Sequence, residues 1–227
     1  MFGWFRRAPA PTDEQLRVAA ALAGYPPYSP PKWTPGLEFL GDNSEAYREY
    51  FFANKHLRLQ ALGEFLAKFG VALELDYAGL VAVSTWLPRY ADSLVDDFDS
   101  EVVRDAYREF VSPWTGALSG LNPIFDLGIY HAECVWSRRT KLKWIVVRGP
   151  EVGIATHAIS GLPGGKLFDP MGWTYNFCRN IWVKKRKRWP FANNSLELES
   201  EVLYRRVLSE APPGRRRRKQ TGEKPSR

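Results

Sequence analysis

The 227 residues are 44% hydrophobic, 14% aromatic and 25% charged, a balance that excludes a wholly disordered or collagen-like chain. A chain this long buries roughly 70% of its unfolded surface, so it needs no disulfide or metal to hold it together. The net charge of +7 is unevenly placed: residues 1–178 hold 17 Lys+Arg against 20 Asp+Glu, residues 179–214 hold 8 against 4, and residues 215–227 hold 7 against 1. The body is therefore mildly acidic, and the C-terminal quarter supplies the whole positive excess.

Cys134 and Cys178 are too few for a disulfide framework and read as buried thiols of a reducing compartment. No stretch reaches the roughly 18 apolar residues of a membrane span. Met1-Phe2-Gly3-Trp4-Phe5-Arg6-Arg7 sets its charges after its apolar residues, the reverse of a secretory signal. The expectation is a soluble, cytoplasmic protein.

Residues 1–11 read as a flexible N-terminus. Thr12 with Gln15 forms a capping-box signature that opens a helix ended by Gly24. In Tyr25-Pro26-Pro27-Tyr28-Ser29-Pro30-Pro31 the prolines forbid helix and ladder alike and predict a stiff, polyproline-II-like strap. Asp42 with Glu45 predicts a helix over 43–69, whose Leu62, Phe65, Leu66 and Phe69 form a core-facing stripe and which Gly70 stops. Asp76 predicts the cap of a further helix, its pattern interrupted by Pro88; Asp99 or Ser100 opens another to about Val111. Residues 118–138 are apolar nearly all round, which places that helix at the centre of the domain.

The period then changes. Residues 144–147 and 154–159 read as two strands, with turns at Gly149-Pro150 and Gly161–Gly165, and Leu167-Phe168 offers a third. Helices are predicted over 174–187 and 195–209. From Ala211 the composition argues for a disordered basic tail over 211–227. Helices followed by a small antiparallel sheet make an α+β fold: an N-terminal helical bundle packed on the sheet, a single domain over 12–210, with further C-terminal helices.

The segment Phe125-Asp126-Leu127-Gly128-Ile129-Tyr130-His131-Ala132-Glu133, with Leu142-Lys143-Trp144, Gly70–Leu73, Leu80–Pro88 and Phe168-Asp169-Pro170, resembles uncharacterised bacterial α+β domains over about residues 55–175. Ala132 stands where a second glycine is usual in them. That resemblance implies a bacterial cytoplasmic origin and no chemistry.

Complete catalytic motifs are missing. His131-Ala132-Glu133 matches half of a zinc-deaminase signature, but the chain has no C-x-x-C to complete it. His131, Cys134, His157 and Cys178 have acceptable ligand types for zinc, and His131 and Cys134 share a helix face at i, i+3, but such a pair is common by chance, so no metal or cofactor is expected. Either cysteine with His157 has the residue types of a thiol nucleophile and its base, but Cys134 sits in an apolar helix that makes a thiol inert. Gly161–Leu167 has the wrong spacing for a phosphate-binding loop, and Pro163 removes an amide. The acidic run Asp92, Asp96, Asp97, Asp99, Glu101 and Asp105 lacks the glycine of a calcium loop and reads as a solvated loop that favours the next helix N-terminus. Asp126 and Glu133, seven residues apart on one helix face, are either a paired acid and base or structural groups bonded to Arg138, Arg139 or Lys143. If the chain is an enzyme, Asp126, His131, Glu133 and His157 are its candidate catalytic residues.

The most concrete functional signal is basic. Lys184, Lys185, Arg186, Lys187 and Arg188 lie between Trp182 and Trp189, and Arg215, Arg216, Arg217, Arg218 and Lys219 follow in the tail. Such cations neutralise phosphates and indoles stack on bases; the same pattern suits an anionic membrane or an acidic protein. Three readings stand: a non-enzymatic interaction protein whose basic C-terminal region contacts an anionic partner, nucleic acid before membrane; a small enzyme; and a stoichiometric inhibitor of the immunity type.

Overall fold

A computed structural model describes residues 10–31, 42–108, 110–137, 141–148, 155–162 and 167–186. Along the chain run α1 (Asp13–Leu22), α2 (Asp42–Ala67), α3 (Tyr77–Leu94), α4 (Glu101–Arg108), a 3-10 turn (Gly116–Leu118), α5 (Leu121–Trp136), β1 (Lys143–Arg148), β2 (Ala155–Ser160) and α6 (Pro170–Arg186). The fold is α+β: six helices and a two-stranded antiparallel sheet among the described residues. The predicted helix over 195–209 and the tail over 211–227 lie outside those residues, as do residues 1–9 of the N-terminal segment and the turn at Gly149-Pro150.

Local signals set most helix ends. The Thr12 hydroxyl accepts from Gln15 N at 3.2 Å while Gln15 Oε1 accepts from Thr12 N at 2.8 Å, so the capping box closes both ways. Asp76 Oδ1 accepts from Gly79 N at 2.9 Å and caps α3. Past α2, Gly70 takes φ +77°, a left-handed turn that glycine adopts without strain, and Val71 N reaches back to Leu66 O. One expectation fails: Pro88 does not interrupt α3, which runs on to Leu94. Proline removes one intrahelical bond, but Leu87, Tyr90, Ala91 and Leu94 on either side of it are all buried, and their packing carries the helix through.

At the centre lies α5, with every residue from Leu121 to Val135 buried. It packs against α6, α2 and α3. Gly128 lets α6 approach so closely that a Cβ there would sit 3.0 Å from Met171 Cα. The predicted strands pair in the register Lys143↔Ser160 to Arg148↔Ala155; the third reduces to a bridge between Ile159 and Phe168. The sheet covers the bundle through Trp144 and His157, whose rings meet Phe51 at 5.2 and 5.0 Å. Last, α6 begins at Pro170, four residues before the predicted start: Asp169 caps it by accepting from Gly172 N at 2.9 Å, and proline at the first helical position forfeits only an N–H that has no partner there.

Candidate functional site

The ionisable residues of α5 point in two directions. Asp126 and Glu133 share the face toward α2, two turns apart, while His131, about 140° round the helix from Asp126, faces α6. On α2, Lys55 and Arg58 sit one turn apart and meet the two acids. Arg58 Nε donates to Asp126 Oδ1 at 2.9 Å and Nη2 to Oδ2 at 2.7 Å; Nη1 donates to Pro26 O at 2.8 Å, and the Tyr25 hydroxyl donates to Oδ2 at 2.6 Å. Lys55 Nζ and Trp144 Nε1 both donate to Glu133 Oε1 at 2.7 Å. Among the described residues the counter-ions come from α2 and not from Lys143, which is exposed; Arg138 and Arg139, the other partners expected from the sequence, lie outside the described residues. A helix buried all round pairs with what packs on it, and sequence neighbours offer no guide to that.

Burial pushes the fully enclosed Asp126 carboxyl up to about 6; the Arg58 charge and the bonds from Arg58 and Tyr25 pull the other way, so it is ionised at pH 7. Burial works against the Arg58 charge, but Asp126 outweighs it and holds the guanidinium protonated. A bidentate guanidinium–carboxylate pair with every oxygen bonded is a structural clasp between helices. Three of the roughly four acceptor sites of this fully enclosed carboxylate are filled by Arg58 and Tyr25.

His131 is nearly sealed, and burial lowers its pKa to about 3, so the ring is neutral at pH 7. The Thr174 hydroxyl gives its proton to Pro170 O at 2.7 Å and must accept from His131 Nδ1 at 3.0 Å, which assigns the proton to Nδ1. His131 Nε2 then has no hydrogen-bond partner among the described residues. His157, on β2, shares a hydrogen bond between its Nε2 and the Tyr47 hydroxyl, which meets the Tyr28 hydroxyl at 3.2 Å; Tyr28 N in turn donates to Asn122 Oδ1 at 2.7 Å. Desolvation lifts both phenols well above their ordinary range and keeps them neutral. Asp126, His131, Glu133 and His157 are thus in three separate settings. The zinc set does not assemble either: among the described residues no three His, Cys, Asp or Glu side chains cluster as metal ligands. Cys134 and Cys178 are buried and not joined in a disulfide, and burial raises the Cys178 thiol.

The basic end of α6 is docked onto the acidic run. Trp182 is 7% exposed, its ring 6.2 Å from Phe98, and its Nε1 donates to Asp96 O at 3.1 Å. Lys185 Nζ donates to Asp92 Oδ1 at 2.6 Å and to Arg89 O at 2.8 Å. Arg186 donates to Asp96 O at 2.8 Å and lies over the Trp182 ring at 4.7 Å. Arg179, which the sequence reading passed over, pairs with Asp99. The run is therefore not only a solvated loop: Asp92 and Asp99 receive α6, and the Trp182 indole packs inward where a base has no access to it. Lys184 is half-buried; Lys187, Arg188, Trp189, Arg215, Arg216, Arg217, Arg218 and Lys219 lie outside the described residues. No described helix is long and apolar enough to cross a membrane.

No protein-family model, curated protein or solved structure matches the chain.

Proposed function

We propose that this chain is a non-enzymatic interaction protein whose basic C-terminal region engages an anionic macromolecule, single-stranded nucleic acid before an anionic membrane surface. The observation that carries the reading is the charge partition: 15 Lys+Arg against 5 Asp+Glu after residue 178, on a body with a slight acidic excess. Cations strung along a segment neutralise phosphates and release counterions, and an indole among them stacks on an unpaired base. Because Trp182, Lys185 and Arg186 dock onto the body, the proposed contacts are Lys187, Arg188, Trp189 and Arg215 to Lys219. The engagement of Asp126, Glu133 and His131 by structural partners supports binding in preference to catalysis.

Fluorescence anisotropy with the full chain and an oligouridine RNA, between about 50 and 200 mM salt, tests this: affinity falls with salt at a log–log slope of about −0.7 per phosphate neutralised. A full-length variant with Lys187, Arg188 and Arg215 to Lys219 changed to Gln loses the binding. No binding at low salt, or an unchanged Gln variant, overturns the proposal. Capture by phosphatidylserine vesicles without any RNA binding overturns the order of the two partners.

A further inference from the structure

A cavity of about 600 Å³ is lined by α4, α6, Phe125 of α5 and His157 of β2. None of the residues in the ion pairs of α5 lines it, and its volume is that of a small-molecule site. One wall is aromatic: Tyr107 and Tyr175 stack at 4.4 Å and 16°, and Phe110, Phe125 and His157 lie ring to ring at 5.2 to 5.5 Å. Phe110 holds φ +55°, a left-handed conformation costly for a bulky residue, and so presents its ring to this wall.

The other side is charged. Arg104 and Arg108 stand one turn apart on α4, and Arg179 faces them from α6. Among the described residues the Arg104 guanidinium has one ion-pair contact, a long 3.8 Å to Glu101, and Arg179 shares its charge with Asp99. Of the two carboxylates present, Asp105 lies beside the arginines of α4, and Asp169 is engaged in capping α6. One polar atom remains unexplained. Tyr175 is 9% exposed, lines the cavity, and its hydroxyl has no hydrogen-bond partner among the described residues. Buried phenols are normally bonded, so this one awaits an acceptor or donor that the described residues do not supply.

We infer that this cavity binds a small molecule that joins a flat ring to an anionic group: the ring lies along the aromatic wall, the anion meets Arg104, Arg108 and Arg179, and the ligand completes the hydrogen bonding of Tyr175. The anion is a phosphate or a carboxylate; both suit a guanidinium fork.

Calorimetric titration of the full-length protein decides the point, with adenosine monophosphate and indole-3-acetate as probes and adenosine, indole-3-acetamide and inorganic phosphate as controls. At least one probe binds saturably, and about tenfold or more tighter than its uncharged counterpart or phosphate alone. Tyr175→Phe weakens that probe about fivefold, the value of one neutral hydrogen bond, and Arg108→Gln about tenfold or more. Arg48→Gln, at an exposed arginine outside the cavity lining, leaves it unchanged, and unaltered melting temperatures separate these losses from misfolding. The full-length variant with Arg215 to Lys219 changed to Gln retains the probe, which separates this site from the C-terminal region. No saturable binding of either probe, equal binding by Tyr175→Phe and Arg108→Gln, or loss of the probe in the 215–219 variant would overturn the assignment; failure of the RNA titration leaves it standing.

Discussion

Replacing Arg58 by Met tests the logic of the clasp between α2 and α5. The substitution removes two bonds to Asp126 and one to Pro26 O, and leaves a carboxylate of 0% exposure with only the Tyr25 hydroxyl. Breaking one side of a buried ion pair costs about 3–5 kcal/mol. In a chain of this length each kcal/mol moves the melting temperature by about 2–4 °C, so a fall of about 6–20 °C is expected. The pH dependence supplies the sharper check. With its folded pKa raised from 3.8 to about 6, Asp126 contributes stability that is fully present below about pH 3.8 and lost as pH rises through about 6, because the folded state holds the proton more tightly. Without Arg58 the main force lowering that pKa is gone, and the carboxyl protonates at still higher pH. The penalty in Arg58→Met is then large at pH 8 and small at pH 5, where a neutral acid needs no counter-ion. Urea unfolding followed by tryptophan fluorescence at the two pH values measures both. The double variant Arg58→Met with Asp126→Leu regains most of the loss at pH 8. A loss below about 1 kcal/mol at pH 8, or one equally large at pH 5, would refute the reasoning.

Two further outcomes follow from the centre of the bundle. His131, with its pKa lowered from 6.5 to about 3 by burial, contributes stability present above about pH 6.5 and lost as pH falls toward 3; His131→Gln keeps a hydrogen-bonding group toward Thr174 and removes this acid limb, so its urea midpoint changes less between pH 7 and pH 4 than that of the parent. Gly128→Ala drives a methyl to 3.0 Å from Met171 Cα and 3.2 Å from Met171 N, backbone atoms that α6 cannot withdraw singly, and costs about 1–3 kcal/mol by calorimetry.

Features with short-range causes were legible in the sequence. The Thr12–Gln15 box, the Asp76 cap, the Leu62–Phe65–Leu66 stripe, an α5 apolar nearly all round and the change of period at β1 each depend on residues within a few positions of one another, and each appears in the structure. What the sequence hid was pairing at a distance. Arg58 lies 68 residues from Asp126, Lys55 78 from Glu133 and Lys185 93 from Asp92. Nothing in the local pattern marks Arg58 among so many arginines, although a carboxylate in the middle of an apolar helix does announce that some cation must reach it. The cavity beside Tyr175 was equally invisible, because its walls come from four elements and its key atom is defined by a bond it lacks. Pro88 misled for the opposite reason: a strong local rule yielded to tertiary packing.

The strap between α1 and α2 has a consequence of its own. Pro26 and Pro27 are exposed, whereas Tyr25 and Tyr28 are buried. The two phenols, three residues apart, enter the interior as two prongs of one plug: the first onto Asp126, the second into the ring cluster of Phe125 and Trp114. Because the prolines stiffen this stretch before folding, little freedom is surrendered when the prongs enter. Adding or deleting one residue between them would turn a prong outward, so the spacing of this short stretch is as much a part of the interior as any leucine.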